Sequence, residues 1–453
     1  MVTILERYEQ THAGSAAMHA EAAKVFPSGV THDIRHFTPF PICVQRARGS
    51  RKWDVDGNEI IDYVMGHGAL LLGHLHPAVE AAVEQQIHLG THLGASHPYE
   101  LAWGRLVQQL VPSAEKVRFT SSGTEATQMA VRLARFRTGR SRVIRFAGHF
   151  HGWSDTLIEA RGGSAEDPSA PGIPGVALRQ QLSLPQNDID ALANALAEHG
   201  SDVAAVILEP TGAAWGDNPI DLSFVQAVRE LTAKAGVILI FDEVITGFRA
   251  SKGGAQARYG ILPDLTTMAK IVAGGLPGGC VAGRADLLDQ IAFTDDPEHD
   301  SKGRISHPGT FNANPLSAVA AAACLSEVAK GEPNKAADAA ALRLASGMNE
   351  IVAKRGVQGC VYGYASMLHI LLGQPARLPD DGITYVWQSQ DHRRAPHTAH
   401  EIEFALRRAM LNEGVDLMHA GMMVSAVHDD RDVDATIEAF DRSLAALQAE
   451  GVV

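Results

Sequence analysis

Val237-Ile-Leu-Ile-Phe241 is an unbroken apolar run closed by Asp242, and downstream the mixed stretch Asp264-Leu-Thr-Thr-Met-Ala269 leads to Lys270, followed by Gly274 and Gly275. Short apolar runs without polar alternation are the pattern of strands buried on both faces, and such strands belong to parallel sheets covered by helices. Val203-Ala-Ala-Val-Ile-Leu208 reads the same way, and Lys116-Val-Arg-Phe-Thr120 and Arg142-Val-Ile-Arg-Phe146 read as further strands. Between them lie helical segments. Thr124–Arg137 places Ala126, Met129, Ala130 and Leu133 on one face with Gly139 just past its end, and a second helix is predicted near Leu222–Ala235. Repeated strand–helix–strand order predicts an α/β domain with a mostly parallel sheet over residues 70–330.

The flanks read differently. Residues 1–69 open with a helix, turn irregular around Pro27, Gly29, Pro39 and Pro41, and then carry Ser50-Arg-Lys-Trp-Asp-Val-Asp-Gly57, a strand entering an Asp-Gly hairpin turn. Residues 331–453 open with an Ala-rich helix over Ala336–Arg355. A polar loop through Pro375, Pro379 and Asp380-Asp-Gly382 follows, and helices near Glu401–Asn412 and Val433–Ala449 close the chain. The expectation is a small α+β domain built from the N- and C-terminal segments.

The 453 residues carry a net charge of −13, which argues against a nucleic-acid or anionic-membrane partner because either needs a basic face. Cys43, Cys280, Cys324 and Cys360 are scattered without a CxxC pair, so reduced thiols are expected rather than a disulfide framework or zinc site. The first residues, MVTILERYEQ, carry charges where a signal peptide needs an apolar run. No uncharged run reaches the ~18 residues of a membrane span. A cytoplasmic protein is expected. The histidine pairs His74/His76 and His149/His151 lack an HExxH or Cys/His cluster, so no metal is expected.

Three features carry chemistry. Ser121-Ser-Gly-Thr-Glu-Ala126 follows a strand and opens a helix, where small residues let a phosphate approach the backbone N–H groups and the helix dipole favours an anion. The same pattern also suits a plain N-cap. Asp242 ends a strand at the edge where α/β sheets bind ligands; it either caps the next turn or pairs with a cationic ring nitrogen. Lys270 ends a strand too, and a half-buried lysine has a lowered pKa and can form a Schiff base, the alternative being a solvated surface charge. An acid, a Schiff-base lysine and a phosphate cradle together are what pyridoxal 5′-phosphate (PLP) requires: the acid keeps the pyridine nitrogen protonated and makes the ring an electron sink.

On these residues the chain resembles the class III aminotransferases of PLP fold type I. The matching segments are Ser121–Ala126, Gly148-His-Phe-His-Gly152, Glu209-Pro210, Phe241-Asp-Glu-Val-Ile-Thr-Gly-Phe-Arg249, Pro263–Lys270 and Pro308-Gly-Thr-Phe311, in family order over nearly the whole chain. The resemblance is to the branch holding glutamate-1-semialdehyde aminomutase, D-phenylglycine aminotransferase and β-amino-acid aminotransferases. Gly66-His-Gly-Ala-Leu-Leu-Leu-Gly-His74 and Leu411-Asn-Glu-Gly-Val-Asp416 are most similar to D-phenylglycine aminotransferase.

The resemblance implies a large domain with a mostly parallel seven-stranded sheet and a homodimer with active sites at the subunit interface. Lys270 would hold the cofactor and shuttle the proton, and Asp242 would pair with the pyridine nitrogen. Val244 and Phe150 would flank the ring; Ser122, Gly123 and Thr124 would cradle the phosphate; Thr310 would reach the neighbouring subunit's phosphate. Glu209 and His151 would lie near the cofactor, His151 being either a supporting or a merely packed residue, with Arg35 and His67 near the substrate. Arg249 is read as structural. Two departures stand out: Phe150 occupies a position that is often Tyr in the family, and His67 replaces the Trp of the aminomutase pattern. The expected activity is ping-pong transfer of an amino group from an amino acid, including aromatic D- or β-amino acids, or an amine to a 2-oxo acid. An aminomutase-like isomerase is the nearest rival.

Overall fold

The structure, a computed structural model, describes residues 2–160, 162–163, 168–377, 379–381, 383–384 and 398–453. Gly382 of the expected polar loop lies outside the described residues. The chain forms two compact units: one built from residues up to His76 and described residues from Glu332 onward, the other from Pro77–Gly331. The first division falls seven residues later than the sequence suggests. Residues 70–76 are held to the N-terminal segment by paired backbone bonds between Gly49 and His74, both 2.9 Å, and by His74 Nε2 at 2.7 Å from Asp62 Oδ2.

In the Pro77–Gly331 unit the strands of the main sheet are β1 (Lys116–Thr120), β2 (Arg142–Phe146), β3 (Gln181–Leu184), β4 (Val203–Leu208), β5 (Ile238–Asp242), β6 (Leu265–Ala269) and β7 (Gly279–Gly283). They form one seven-stranded sheet in the order β1-β7-β6-β5-β4-β2-β3, in which only β7 runs against its neighbours. The α/β reading with a mostly parallel sheet holds.

Successive side chains of a strand face opposite sides, and the core divides accordingly. Ile238 and Ile240 pack with Ala205, Ile207, Leu265 and Val281 under α1 (Gly123–Thr138), which offers Ala126, Met129, Ala130, Leu133 and Ala134. Leu239 and Phe241 pack on the other side with Val206, Leu208 and Phe146 against Leu192, Leu196, Phe224, Val225 and Val228, which belong to the helices Ile189–His199 and Leu222–Ala235. Each fully buried Leu, Ile or Phe contributes roughly 1.5–3 kcal/mol. α1 starts where the Ser122 hydroxyl accepts the Glu125 N–H at 3.2 Å, and it stops at Gly139, whose φ of 66° allows a left-handed C-cap.

The other unit has a four-stranded sheet of Val44–Arg48, Arg51–Asp54, Glu59–Asp62 and Val415–Asp416, in that order, and a three-stranded antiparallel sheet of Gly359–Tyr364, Met367–Leu372 and Gly421–Met423. Helices Glu332–Arg355, His400–Asn412 and Asp430–Ala449 contribute to its core. Inside the four-stranded sheet, buried Lys52 bonds Asp62 Oδ1 at 2.8 Å and Asp416 Oδ2 at 2.6 Å, and Arg407 Nε bonds Asp416 Oδ1 at 2.9 Å. Among the described residues no helix is long and apolar enough to cross a membrane.

Candidate active site

The C-terminal ends of parallel strands leave backbone groups and side chains facing a common edge, and three ends meet there. Asp242 closes β5, Glu209 follows β4 and Lys270 follows β6. β7 is antiparallel to both β6 and β1, so β1 also ends on this edge; Gly279 of β7 lies between Thr120 and Ala269 in register. α1 therefore starts beside the lysine. Gly123 shows how close: a Cβ there would sit 3.0 Å from Val244 Cγ2 and 3.5 Å from Ala269 Cβ. Gly152 (φ 94°) lies against α1's first turn, where a Cβ would approach Thr124 Oγ1 to 2.5 Å. These glycines let Val244, Ala269 and the Gly152 backbone pack closely against the first turn of α1.

Asp242 is buried but fully engaged. Its Oδ2 lies 2.7 Å from His151 Nδ1, and its Oδ1 accepts the Val244 N–H at 3.1 Å and the Thr267 hydroxyl at 3.3 Å. Burial lowers the pKa of His151 against the pull of Asp242, so the neutral ring donates Nδ1–H to the carboxylate; its Nε2 is buried without a hydrogen bond among the described residues. Lys270 has a φ of 59° and is half-buried. Burial lowers its pKa, opposed by the carboxylates of Asp242 and Glu209 and aided by Arg249. An amine with a lowered pKa is a better nucleophile toward an aldehyde.

Glu209 is buried and accepts three backbone N–H groups, from Phe150 at 2.8 Å, Trp215 at 2.9 Å and Ala214 at 3.3 Å. Burial, reinforced by the nearby Asp242 charge, raises its pKa to about 7. Its bond to the Phe150 N–H fixes the backbone of a residue that is 69% exposed.

Some supporting groups escaped the sequence reading. Buried His149 accepts the Glu209 N–H on Nδ1 at 2.9 Å and meets Gln186 Oε1 through Nε2 at 2.7 Å, and Gln186 Nε2 donates to the carbonyls of Asn218 and Pro219. The His-Phe-His triplet drew notice to His149, but nothing in the sequence points to Gln186. Ser122 Oγ serves as the N-cap of α1, the plainer of its two readings. Thr310 is exposed, its carbonyl accepting from His92 Nε2 at 2.7 Å. Arg249 is fully buried. Arg35 and His67 belong to the other unit. There Arg35 Nη1 donates to Thr31 Oγ1 at 3.0 Å, and the His67 ring stacks on that of His32. Among the described residues no group of three or more His, Cys, Asp or Glu could hold a metal ion.

The chemistry of these donors fits PLP: a held carboxylate suits the ring nitrogen, a half-buried amine the aldehyde, and a closely packed helix N-terminus the phosphate. Fold and site together define a PLP-dependent enzyme of the α/β type. The chain belongs to the class-III aminotransferase family, whose profile matches residues 34–441.

A glutamate-1-semialdehyde 2,1-aminomutase of Thermomicrobium roseum is 39% identical over 440 residues, covering 95% of this chain and 98% of the relative. Among solved structures, an omega-transaminase from Sphaerobacter thermophilus has a TM-score of 0.86 at 32% identity, covering 97% of this chain and 99% of that one. A beta-phenylalanine aminotransferase from Variovorax paradoxus has a TM-score of 0.83 at 28% identity, covering 98% and 97%.

Proposed function

We propose that this protein is an aminotransferase that moves an amino group from an amino acid, including aromatic D- or β-amino acids, or from an amine to a 2-oxo acid in two half-reactions. The observation that carries the reading is the adjacency of β5 and β6, which sets buried Asp242 and half-buried Lys270 on one sheet edge beside the α1 N-terminus. When bound, PLP supplies the aldehyde that accepts the amino group and the ring that withdraws electrons from the reacting carbon. Lys270 would hold that aldehyde and, once freed by an incoming amine, would carry the proton from the substrate carbon to the former aldehyde carbon, as base and then acid. Asp242, oriented by His151, would keep the ring nitrogen charged. Phe150 and Val244 would flank the ring, and Ser122, Gly123 and Thr124 would bind the phosphate. Glu209 braces the Phe150 backbone. Thr310 would serve the partner's phosphate in a cytoplasmic homodimer, Arg35 would bind the substrate carboxylate, and His67 would be a further substrate-binding residue.

The second reading is isomerisation within one molecule, favoured by the name of the Thermomicrobium roseum relative. Mass balance separates the two. The holoenzyme is given amino donors alone, donors with pyruvate or 2-oxoglutarate, and glutamate-1-semialdehyde alone. Equimolar transfer that requires an oxo acceptor supports the aminotransferase. Isomerisation of the semialdehyde, with no transfer from any donor, overturns it.

A further inference from the structure

His32 sits where two segments distant in sequence meet. Its Nδ1 accepts the Ile34 backbone N–H at 3.1 Å and so caps the short turn Asp33–Arg35. Its ring lies nearly parallel to that of His67, with centroids 5.3 Å apart and planes at 10°. One imidazole therefore touches both the turn that carries Arg35 and the loop that carries His67. Arg35 is tied to the same stretch through its 3.0 Å bond to Thr31 Oγ1.

The His67 loop needs outside support. Met65, Gly66, His67 and Gly68 have successive φ values of 45°, 61°, 57° and 85°. L side chains adopt that region only where the surroundings hold them, and such strain gathers at ligand sites. The neck of the loop is held: the Val64 N–H donates to Asp62 Oδ1 at 2.9 Å, Asp62 Oδ2 meets His74 Nε2 at 2.7 Å, and Lys52 Nζ bonds Asp62 Oδ1 at 2.8 Å. Nearer the tip, the His32 ring is stacked on His67.

We infer that His32 is a positioning residue for carboxylate recognition: by capping one segment and stacking on the other, it holds Arg35 and the His67 loop in one fixed relation. The inference rests on the proposed role of Arg35 as carboxylate anchor. Its consequence is selectivity for carboxylate-bearing donors over simple amines, because Arg35 offers its guanidinium in a preset direction only while the turn is capped and braced. Asparagine at position 32 can cap without stacking, and phenylalanine can stack without capping.

The test is benzoate binding to the holoenzyme by calorimetry, for the wild type, His32→Ala, His32→Asn, His32→Phe and Arg35→Ala, together with steady-state kinetics for an amino-acid donor. Loss of a cap or of a ring pair is each worth roughly threefold in affinity here, and both together about tenfold. His32→Ala is thus expected to weaken benzoate about tenfold and to raise KM about as much. The kcat should stay within about twofold and the absorption of lysine-bound cofactor should be unchanged; Asn and Phe should each recover about half of the loss on a logarithmic scale. Wild-type benzoate affinity in His32→Ala, or a fall in kcat at constant KM, overturns the inference. If Arg35→Ala weakens benzoate while His32→Ala does not, only this inference fails; if Arg35→Ala has no effect, the carboxylate anchor fails and takes the inference with it. Should the alanine variant not fold, the Asn and Phe variants carry the same comparison.

Discussion

Glu209→Gln should reverse sign in its effect on stability between acid and alkaline pH. In the folded protein Glu209 Oε1 accepts from Phe150 and Ala214, and Oε2 accepts from Trp215. Burial and the neighbouring Asp242 charge outweigh these bonds and move its pKa from 4.5 to about 7. Between those pH values the folded state holds a proton that the unfolded state has released. Stability from this group is therefore fully present below pH 4.5 and is lost as pH rises through about 7. At ~1.4 kcal/mol per pH unit the swing is about 3 kcal/mol. Glutamine has no such swing. It keeps one carbonyl acceptor but turns an amide donor toward a backbone N–H, a pH-independent penalty of about 1–3 kcal/mol. The variant should thus be less stable than the wild type at acid pH, and the difference should shift in its favour by about 3 kcal/mol on going to about pH 8. Urea unfolding of the cofactor-free protein, at fixed protein concentration and followed by tryptophan fluorescence, reads this directly. A stability difference that stays constant within about 1 kcal/mol across the pH range would refute the assignment of a buried, proton-binding Glu209.

Two other substitutions probe separate parts of the molecule. Lys270→Ala should abolish turnover and the visible absorption of lysine-bound cofactor, and borohydride treatment of the wild type should leave a reduced adduct on the Lys270 peptide by mass spectrometry; full turnover in the alanine variant would rule the lysine out. Lys52→Met removes the cation shared by buried Asp62 and Asp416, and stranding buried carboxylates costs about 3–5 kcal/mol. Both aspartates are held below the usual carboxylate range, against burial, by Lys52 together with His74 for Asp62 and Arg407 for Asp416. The wild type should therefore lose this stability as pH falls, and the variant should show a flatter acid limb; denaturation midpoints at neutral and acid pH check both claims.

The strands and helices that build the sheet were legible because their signal is local. Val203–Leu208 and Val237–Phe241 are apolar throughout because both faces are covered, and α1 carries its own start at Ser122 and stop at Gly139. β3 and the reversed β7 were not legible. Gln181–Leu184 is only partly buried at the sheet's edge, and Gly279–Gly283 contains two glycines, so neither shows an apolar run of large side chains. The division at His76 was also hidden, since the bonds that draw residues 70–76 to the N-terminal segment join positions distant in the chain.

The sequence alone determined which residue types stand at the ends of strands: an acid at 242, a lysine at 270, and a small-residue turn at 121–124. Strand ends are set by short-range patterning, so their occupants can be named without coordinates. Only the tertiary structure decided that these ends share an edge, because strand order depends on pairing between segments up to some 160 residues apart, as between β1 and β7. It alone decided what surrounds each group as well: the His151 ring on Asp242, the three N–H groups on Glu209 and the His32–His67 stack. Burial and hydrogen bonding tune reactivity through space, and the linear order of residues carries no record of those distances.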